Sequence, residues 1–334
     1  VARVQGISPS MLAHTRKGSR VAKTEEDAMK AMLLTGFGGT DMLRYGDAPD
    51  PVAGPGDVVV DVHAASVNAA DYKMRLGGYS TLKFPHILGR DFSGVVSAVG
   101  AGVEDLHVGD AVFGVTIPGT EGAYAEKIAI KAAIIARKPP KLSHVEAAAM
   151  ALTSLTAIWA LEDTAQLRRG ETVLIHGGAG GVAGFAIQLA KHLGATVITT
   201  ASPANHDYVR TLGADQVIDY HEEDFTKVAR PCDVVFDTVG GEVQVRSYDV
   251  VKPGGRLVWI AAAPAGFQPS RSDVKVLRPK VDRDRAHLER MGELLAVGAV
   301  WPPAITRYAL ADAAEAHRVS EGRHLRGKLV LEVR

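Results

Sequence analysis

The segment Gly177-Gly178-Ala179-Gly180-Gly181-Val182-Ala183 has the residue types and spacing to hold a pyrophosphate. In a G-x-G-x-x-G/A pattern, Gly178 permits a tight turn and Gly180 lets backbone approach the anion. Ala183 is then the small third residue that allows close helix–sheet packing. Free N–H groups at the start of the following helix face the negative charge, which makes Gly178, Ala179, Gly180, Gly181 and Val182 candidate binding residues. About twenty residues after the first glycine, where an acid would accept hydrogen bonds from an adenosine ribose, the chain reads Thr200-Ala201-Ser202. Without a carboxylate there is room for a 2′-phosphate and a hydroxyl donor on Ser202, so NADPH is the expected dinucleotide. Glycine turns also join strands to helices for steric reasons alone, so the flanking elements decide the reading.

Those flanks are regular. An apolar strand at 173–176 precedes the turn, a helix with an apolar stripe and a glycine stop follows at 185–194, and a β-branched strand occupies 196–200. Further short apolar runs at 216–220, 233–237 and 256–260 continue the pattern, which predicts a doubly wound parallel sheet. Upstream, short strands at 57–62, 92–99, 111–115 and 123–128 alternate with turns, two of them introduced by Gly56-Asp57 and Gly109-Asp110. This is a β-rich, barrel-like domain. A helix at 285–296 and a strand at 328–332 are too short to fold alone and are expected to return to it. The expected division is a disordered extension at 1–28, a β-rich domain at 29–149 and 276–334, and a dinucleotide-binding domain at 150–275.

The 334 residues suffice for two cores. Lys plus Arg and Asp plus Glu number 38 each, so no global field attracts nucleic acid or an anionic membrane. Small molecules are the expected partners. The single cysteine, Cys232, cannot form an internal disulfide; it reads as a buried structural thiol in a cytoplasmic protein. No apolar run approaches the roughly 20 residues that span a bilayer.

Several local motifs, in this order along the chain, resemble the medium-chain dehydrogenase/reductase superfamily, and within it the zinc-free quinone oxidoreductase and enone (alkenal) reductase branch. They are Ala65-Ser66-Val67-Asn68-Ala69-Ala70-Asp71, Gly89-Arg90-Asp91-Phe92-Ser93-Gly94, Leu152-Thr153-Ser154-Leu155-Thr156-Ala157, Phe236-Asp237-Thr238-Val239-Gly240-Gly241 and Arg326-Gly327-Lys328, together with the glycine turn. The resemblance implies a GroES-like catalytic domain, a Rossmann domain, and a cofactor in the cleft between them. It adds Thr156, Tyr220, Val239 and Arg323 to the candidate cofactor residues, Thr156 beside the nicotinamide and Tyr220 and Arg323 at the 2′-phosphate. Zinc-dependent relatives place a sulfur ligand where Asn68 stands and a histidine where Arg90 stands. A cationic arginine cannot ligate zinc, so no metal is expected.

The segment 68–79 would supply the substrate wall, with Asn68, Lys73 and Tyr79 as candidate catalytic residues: Asn68 as an amide donor to the acceptor oxygen or a contact to the nicotinamide ribose, Lys73 as a hydrogen-bond or proton donor, Tyr79 as pocket wall or phenol. Without a metal to hold an oxyanion, a conjugated acceptor is expected, because charge from hydride delivery spreads through an enone or quinone. An enoyl-thioester reductase and a non-catalytic NADPH-binding protein are the alternatives. The apolar run 273–277 reads as a sheet edge that pairs across a two-fold axis in a homodimer.

Overall fold

The computed structural model describes residues 28–78, 82–269 and 271–334. The expected extension at 1–28 therefore lies outside the described residues except for Ala28, which already belongs to the first strand. The N-terminal half contains β1 (Ala28–Leu34), β2 (Leu43–Pro49), β3 (Asp57–Val67), α1 (Ala69–Lys73), β4 (His86–Ile87), β5 (Asp91–Val99), β6 (Ala111–Val115), β7 (Lys127–Lys131) and β8 (Ile135–Arg137). The strand expected at 123–128 starts later: Ala125 makes only an isolated bridge to Ala31, and regular pairing begins at Lys127.

After α2 (His144–Ile158) comes a run of strands and helices: β9 (Thr172–Ile175), α3 (Gly181–His192), β10 (Thr196–Ala201), α4 (His206–Thr211), β11 (Gln216–Asp219), α5 (Phe225–Val228), β12 (Cys232–Asp237), α6 (Glu242–Ser247), β13 (Val251–Trp259) and β14 (Lys275–Leu277). The six strands of this half form one sheet in the order β11-β10-β9-β12-β13-β14, every pair parallel. This is the doubly wound Rossmann arrangement, with its strand order reversing beside β9, where ligands bind at the carboxyl ends of the strands. β14 is the edge strand of that sheet, so the expected boundary at 275/276 cuts through it. Three residues are too few to show a period.

The chain ends with α7 (Arg285–Ala296), β15 (Ile305–Ala309), α8 (Ala313–Glu321) and β16 (Lys328–Glu332). β16 returns to the β-rich domain as expected, antiparallel to β3, in a sheet ordered β15-β16-β3-β5-β6-β8 with β7 also on β3. α7 returns only in part. Its Leu288, Met291 and Leu294 are buried in the core shared with α2 and α3, while Arg285 at its start donates to the carbonyls of Ile135 and Ala132.

α2 ties the halves together. Ser143 and Glu146 form a capping box at its start, which satisfies two end groups reciprocally. The helical stretch His144–Thr164 is, contrary to expectation, long and apolar enough to cross a membrane, but 83% of its most apolar 18-residue window is buried inside the molecule. It is the central core helix.

Candidate active site between the two domains

A cleft of about 610 Å³ opens between the domains. One wall is the glycine turn after β9, the opposite wall is the chain from Val67 through Lys73, and the segment 323–329 crosses between them.

At the glycine turn the left-handed residue is Gly177, with φ 72°, rather than Gly178. Gly178 is constrained differently: a Cβ there would collide with the Thr199 side chain of β10. Its N–H donates to the Thr200 carbonyl at 2.9 Å, which closes the turn onto the neighbouring strand. Gly178 thus shapes the turn from behind, while Gly177, Ala179, Gly180, Gly181, Val182 and Ala183 line the cleft. α3 starts at Gly181, and its first helical bond is from Gly184 N–H to Gly180. Among the described residues, the N–H groups of Val182 and Ala183 have no backbone acceptor and are left for an anion at the positive end of a 12-residue helix, while Gly180 is bridged to Gly327. These features fit a dinucleotide pyrophosphate.

Ser202, Tyr220, Val239 and Arg323 all line the cleft. Ser202 follows the last residue of β10 and accepts a 3.1 Å hydrogen bond from Asn205 Nδ2. Arg326, part of the Arg-Gly-Lys motif, donates from Nε to Asn205 Oδ1 at 2.7 Å and from its guanidinium to the Ala204 carbonyl. It also lies over the Tyr208 ring at 5.6 Å. This end of the cleft carries Arg323 and no carboxylate among its lining residues, while Arg326 is engaged with Ala204 and Asn205. Thr156 does not reach the cleft. It is buried in α2, and Thr153, one turn earlier, takes the lining position beside Gly181. The motif contains both threonines, and only the helix phase at the α2–α3 contact distinguishes them.

Asn68 stands where the sequence places it, in the cleft wall at the start of α1, but its side chain is engaged. Nδ2 donates to Asp91 Oδ1 at 3.1 Å, and Oδ1 accepts from Lys328 Nζ at 2.6 Å. The Asn68 backbone N–H is taken by Asp71 Oδ2 at 2.8 Å. Its side-chain amide, expected to serve an acceptor oxygen or the nicotinamide ribose, is engaged by Asp91, the Ser66 carbonyl and Lys328, while Asp71 takes the backbone N–H. Lys73 lines the cleft, exposed, with Tyr72 beside it. Tyr79 lies outside the described residues.

Lys328, missed as a site residue, is the first residue of β16 and only 5% exposed. It also donates to the Val67 carbonyl at 3.0 Å and lies 3.8 Å from Asp91 Oδ2. Burial pushes both members of this pair toward their neutral forms, and their mutual attraction opposes it. Ser66 Oγ donates to Asp91 at 2.5 Å. Asp71 is pushed up to about 6, chiefly by burial; Arg90 nearby and the Tyr124 hydroxyl at 3.0 Å pull the other way. In sequence, the lysine reads as the start of an ordinary apolar strand. The Arg-Gly-Lys motif was its one visible signal.

Among the described residues, no three His, Cys, Asp or Glu side chains converge to hold a metal ion. The Asn68 side chain is already hydrogen-bonded and Arg90 is a cation, so neither offers zinc a free donor. The donor set does not fit zinc. Cys232 is buried, its thiol pushed up to about 12 by burial, and it lies in the core of the parallel sheet.

Two family models match: the alcohol dehydrogenase GroES-like domain over residues 54–140 and zinc-binding dehydrogenase over 212–331. A solved quinone oxidoreductase from Coxiella burnetii is 37% identical with a TM-score of 0.85, covering 92% of this chain and 100% of that one. A mycobacterial structure complexed with NADPH is 31% identical at a TM-score of 0.80, covering 91% and 100%. The 2-methylene-furan-3-one reductase of Solanum lycopersicum is 39% identical over 72% of this chain and 64% of its own length. The chain also spans 16% of the length of a mycocerosic acid synthase-like polyketide synthase of Mycobacterium tuberculosis, at 31% identity. The two-domain fold and interdomain cleft are those of a dehydrogenase/reductase. The chain belongs to the medium-chain dehydrogenase/reductase superfamily.

Proposed function

We propose that this chain is an NADPH-dependent reductase that transfers hydride to quinones or to the C=C bond of α,β-unsaturated carbonyls, without zinc. The observation that carries the reading is the cleft itself. A helix N-terminus stands on one wall, the end at Ser202 carries Arg323 and no carboxylate among its lining residues, and among the described residues the opposite wall offers hydrogen-bond donors but no metal donor set. The superfamily relationship and the NADPH-complexed neighbour support a nicotinamide cofactor. The quinone oxidoreductase and furanone reductase relatives support conjugated acceptors.

The bound cofactor would supply the hydride. α3 would hold its pyrophosphate through the N–H groups of Val182 and Ala183, and Ser202, Tyr220 and Arg323 would take the 2′-phosphate. The wall at Asn68, Tyr72 and Lys73 would orient the acceptor. The polyketide synthase relationship favours a second reading, an enoyl-thioester reductase, which uses the same hydride geometry on a longer substrate.

The test is NADPH consumption over a panel of quinones, short enones and an enoyl thioester, with saturated aldehydes as controls. Conjugated acceptors should turn over and the controls should not, and a strong chelator should leave the rate unchanged. Turnover of none of them would leave a non-catalytic NADPH-binding protein, and preference for the thioester would select the second reading.

A further inference from the structure

We propose that Lys328 is a catalytic residue of this cleft, the cationic donor that binds the acceptor oxygen as negative charge develops on it; the assignment rests on the reading of the cleft as a reductase site. Three observations support it. The lysine is fixed in place: the N–H of Gly327 donates to the Ala179 carbonyl at 2.8 Å, so β16 begins on the glycine turn. Its stem crosses the first turn of α3, where a Cβ on Gly181 would stand 2.6 Å from Lys328 Cδ. Its head then lies in the substrate wall against Asn68 and Val67.

The donor count is the second observation. An ammonium has three N–H groups, and two are used, on Asn68 Oδ1 and the Val67 carbonyl. Asp91 Oδ2, at 3.8 Å, is an ion-pair partner beyond hydrogen-bond reach, so one donor of a buried cation has no acceptor among the described residues. Such a donor is costly unless a ligand completes it. Third, Asn68 and Asp91 aim the ammonium rather than neutralise it by contact.

In the proposed step, a C–H bond forms at the β-carbon as hydride leaves NADPH, which becomes NADP⁺. The C=C π pair becomes the new double bond between the α-carbon and the carbonyl carbon, and the C=O π pair moves onto the oxygen, to which the third Lys328 N–H donates. The enolate then takes a proton from water at the α-carbon, and Lys328 stays protonated throughout.

The test compares wild type with Lys328→Met and Lys328→Arg in three measurements: NADPH affinity by fluorescence, enone kcat and KM, and binding of p-nitrophenolate to the NADP⁺ complex by its absorbance. The phenolate stands in for the enolate oxyanion. Removing one donor to a developing oxyanion should lower kcat by about a hundredfold. NADPH affinity should stay within about threefold and nitrophenolate affinity should fall by about tenfold or more, a loss of one charge-assisted contact. Lys328→Arg should restore part of both losses. If Lys328→Met fails to fold, Lys328→Gln carries the same comparison. Weakened NADPH with unchanged nitrophenolate affinity would make Lys328 a cofactor contact and overturn the assignment, as would wild-type protein that binds no nitrophenolate. If the wild type reduces no acceptor, the reductase reading fails, and the nitrophenolate comparison still decides Lys328.

Discussion

The two walls of the cleft are built by different means. The glycine turn and α3 form one continuous segment whose binding groups are backbone N–H groups, and small residues keep them clear. The Asn68 wall is a network of side chains from four separated places, Ser66 to Asp71, Asp91, Tyr124 and Lys328, most of them buried. The first wall tolerates change in side chains that point away and fails when a glycine gains a Cβ. The second depends on charges that burial makes costly to leave unpaired.

The largest effect is expected where the walls join. Gly327 has φ 69°, and a Cβ would collide with Ala304. Gly327→Ala combines a left-handed strain with a backbone clash, a cost of about 3 kcal/mol or more. Thermal unfolding should show a clear loss of stability, and an unchanged midpoint would mean that β16 docks on the turn more loosely than described. A smaller, purely functional effect belongs to the backbone wall. Ser202→Asp places a carboxylate at the 2′-phosphate end and should shift preference toward NADH by about tenfold or more, the equivalent of one charge-assisted contact of roughly 1.5 to 3 kcal/mol. Titration of both cofactors against both proteins checks it. Equal affinities of the unaltered chain for NADPH and NADH would remove the contrast.

The sequence showed the first wall because its information is local. Spacing, small residues and the missing acid after β10 all lie within about 25 residues, consistent with the βαβ unit. Even there, Gly178 is read as the residue that permits the tight turn, whereas Gly177 takes the left-handed conformation and Gly178 packs against Thr199. Thr153 and Thr156 differ by helix phase alone. The second wall was half visible: Asn68 and the motifs around Asp91 and Lys328 could be quoted, but the bonds joining residues 23 to 261 positions apart could not. A buried lysine at the head of an apolar strand looks like any strand-end lysine until the partner strand is known. α7 contacts both domains, since its start bonds the β-rich domain while its apolar stripe packs on α2 and α3, and the stripe alone does not say which domain it covers.

The smallest expected effect concerns pH. His317 is buried and lowered to about 3, chiefly by burial and then by the adjacent Arg75, whose Nε lies 3.4 Å from His317 Nδ1. The unfolded chain binds this proton near the ordinary histidine value and the folded chain does not. The group's contribution to stability is therefore full above about pH 6.5 and is lost as pH falls from there toward 3. Asp71, raised to about 6, acts in the opposite sense: as pH rises from about 4 to 6, its proton leaves the unfolded chain first and stability declines. His317→Phe should flatten the acid limb of the stability profile by denaturant titration between pH 4 and 6.5. An acid limb as steep as in wild type would show that His317 is protonated in the fold.

Hydride delivery to a conjugated carbon is the claim on which both walls converge, and product analysis tests it most directly. Incubation of the protein with NADPH and a simple enone should yield the saturated ketone, with the C=C bond reduced and the carbonyl intact. An allylic alcohol with its double bond preserved would contradict the account and place the carbonyl carbon, rather than the β-carbon, against the cofactor.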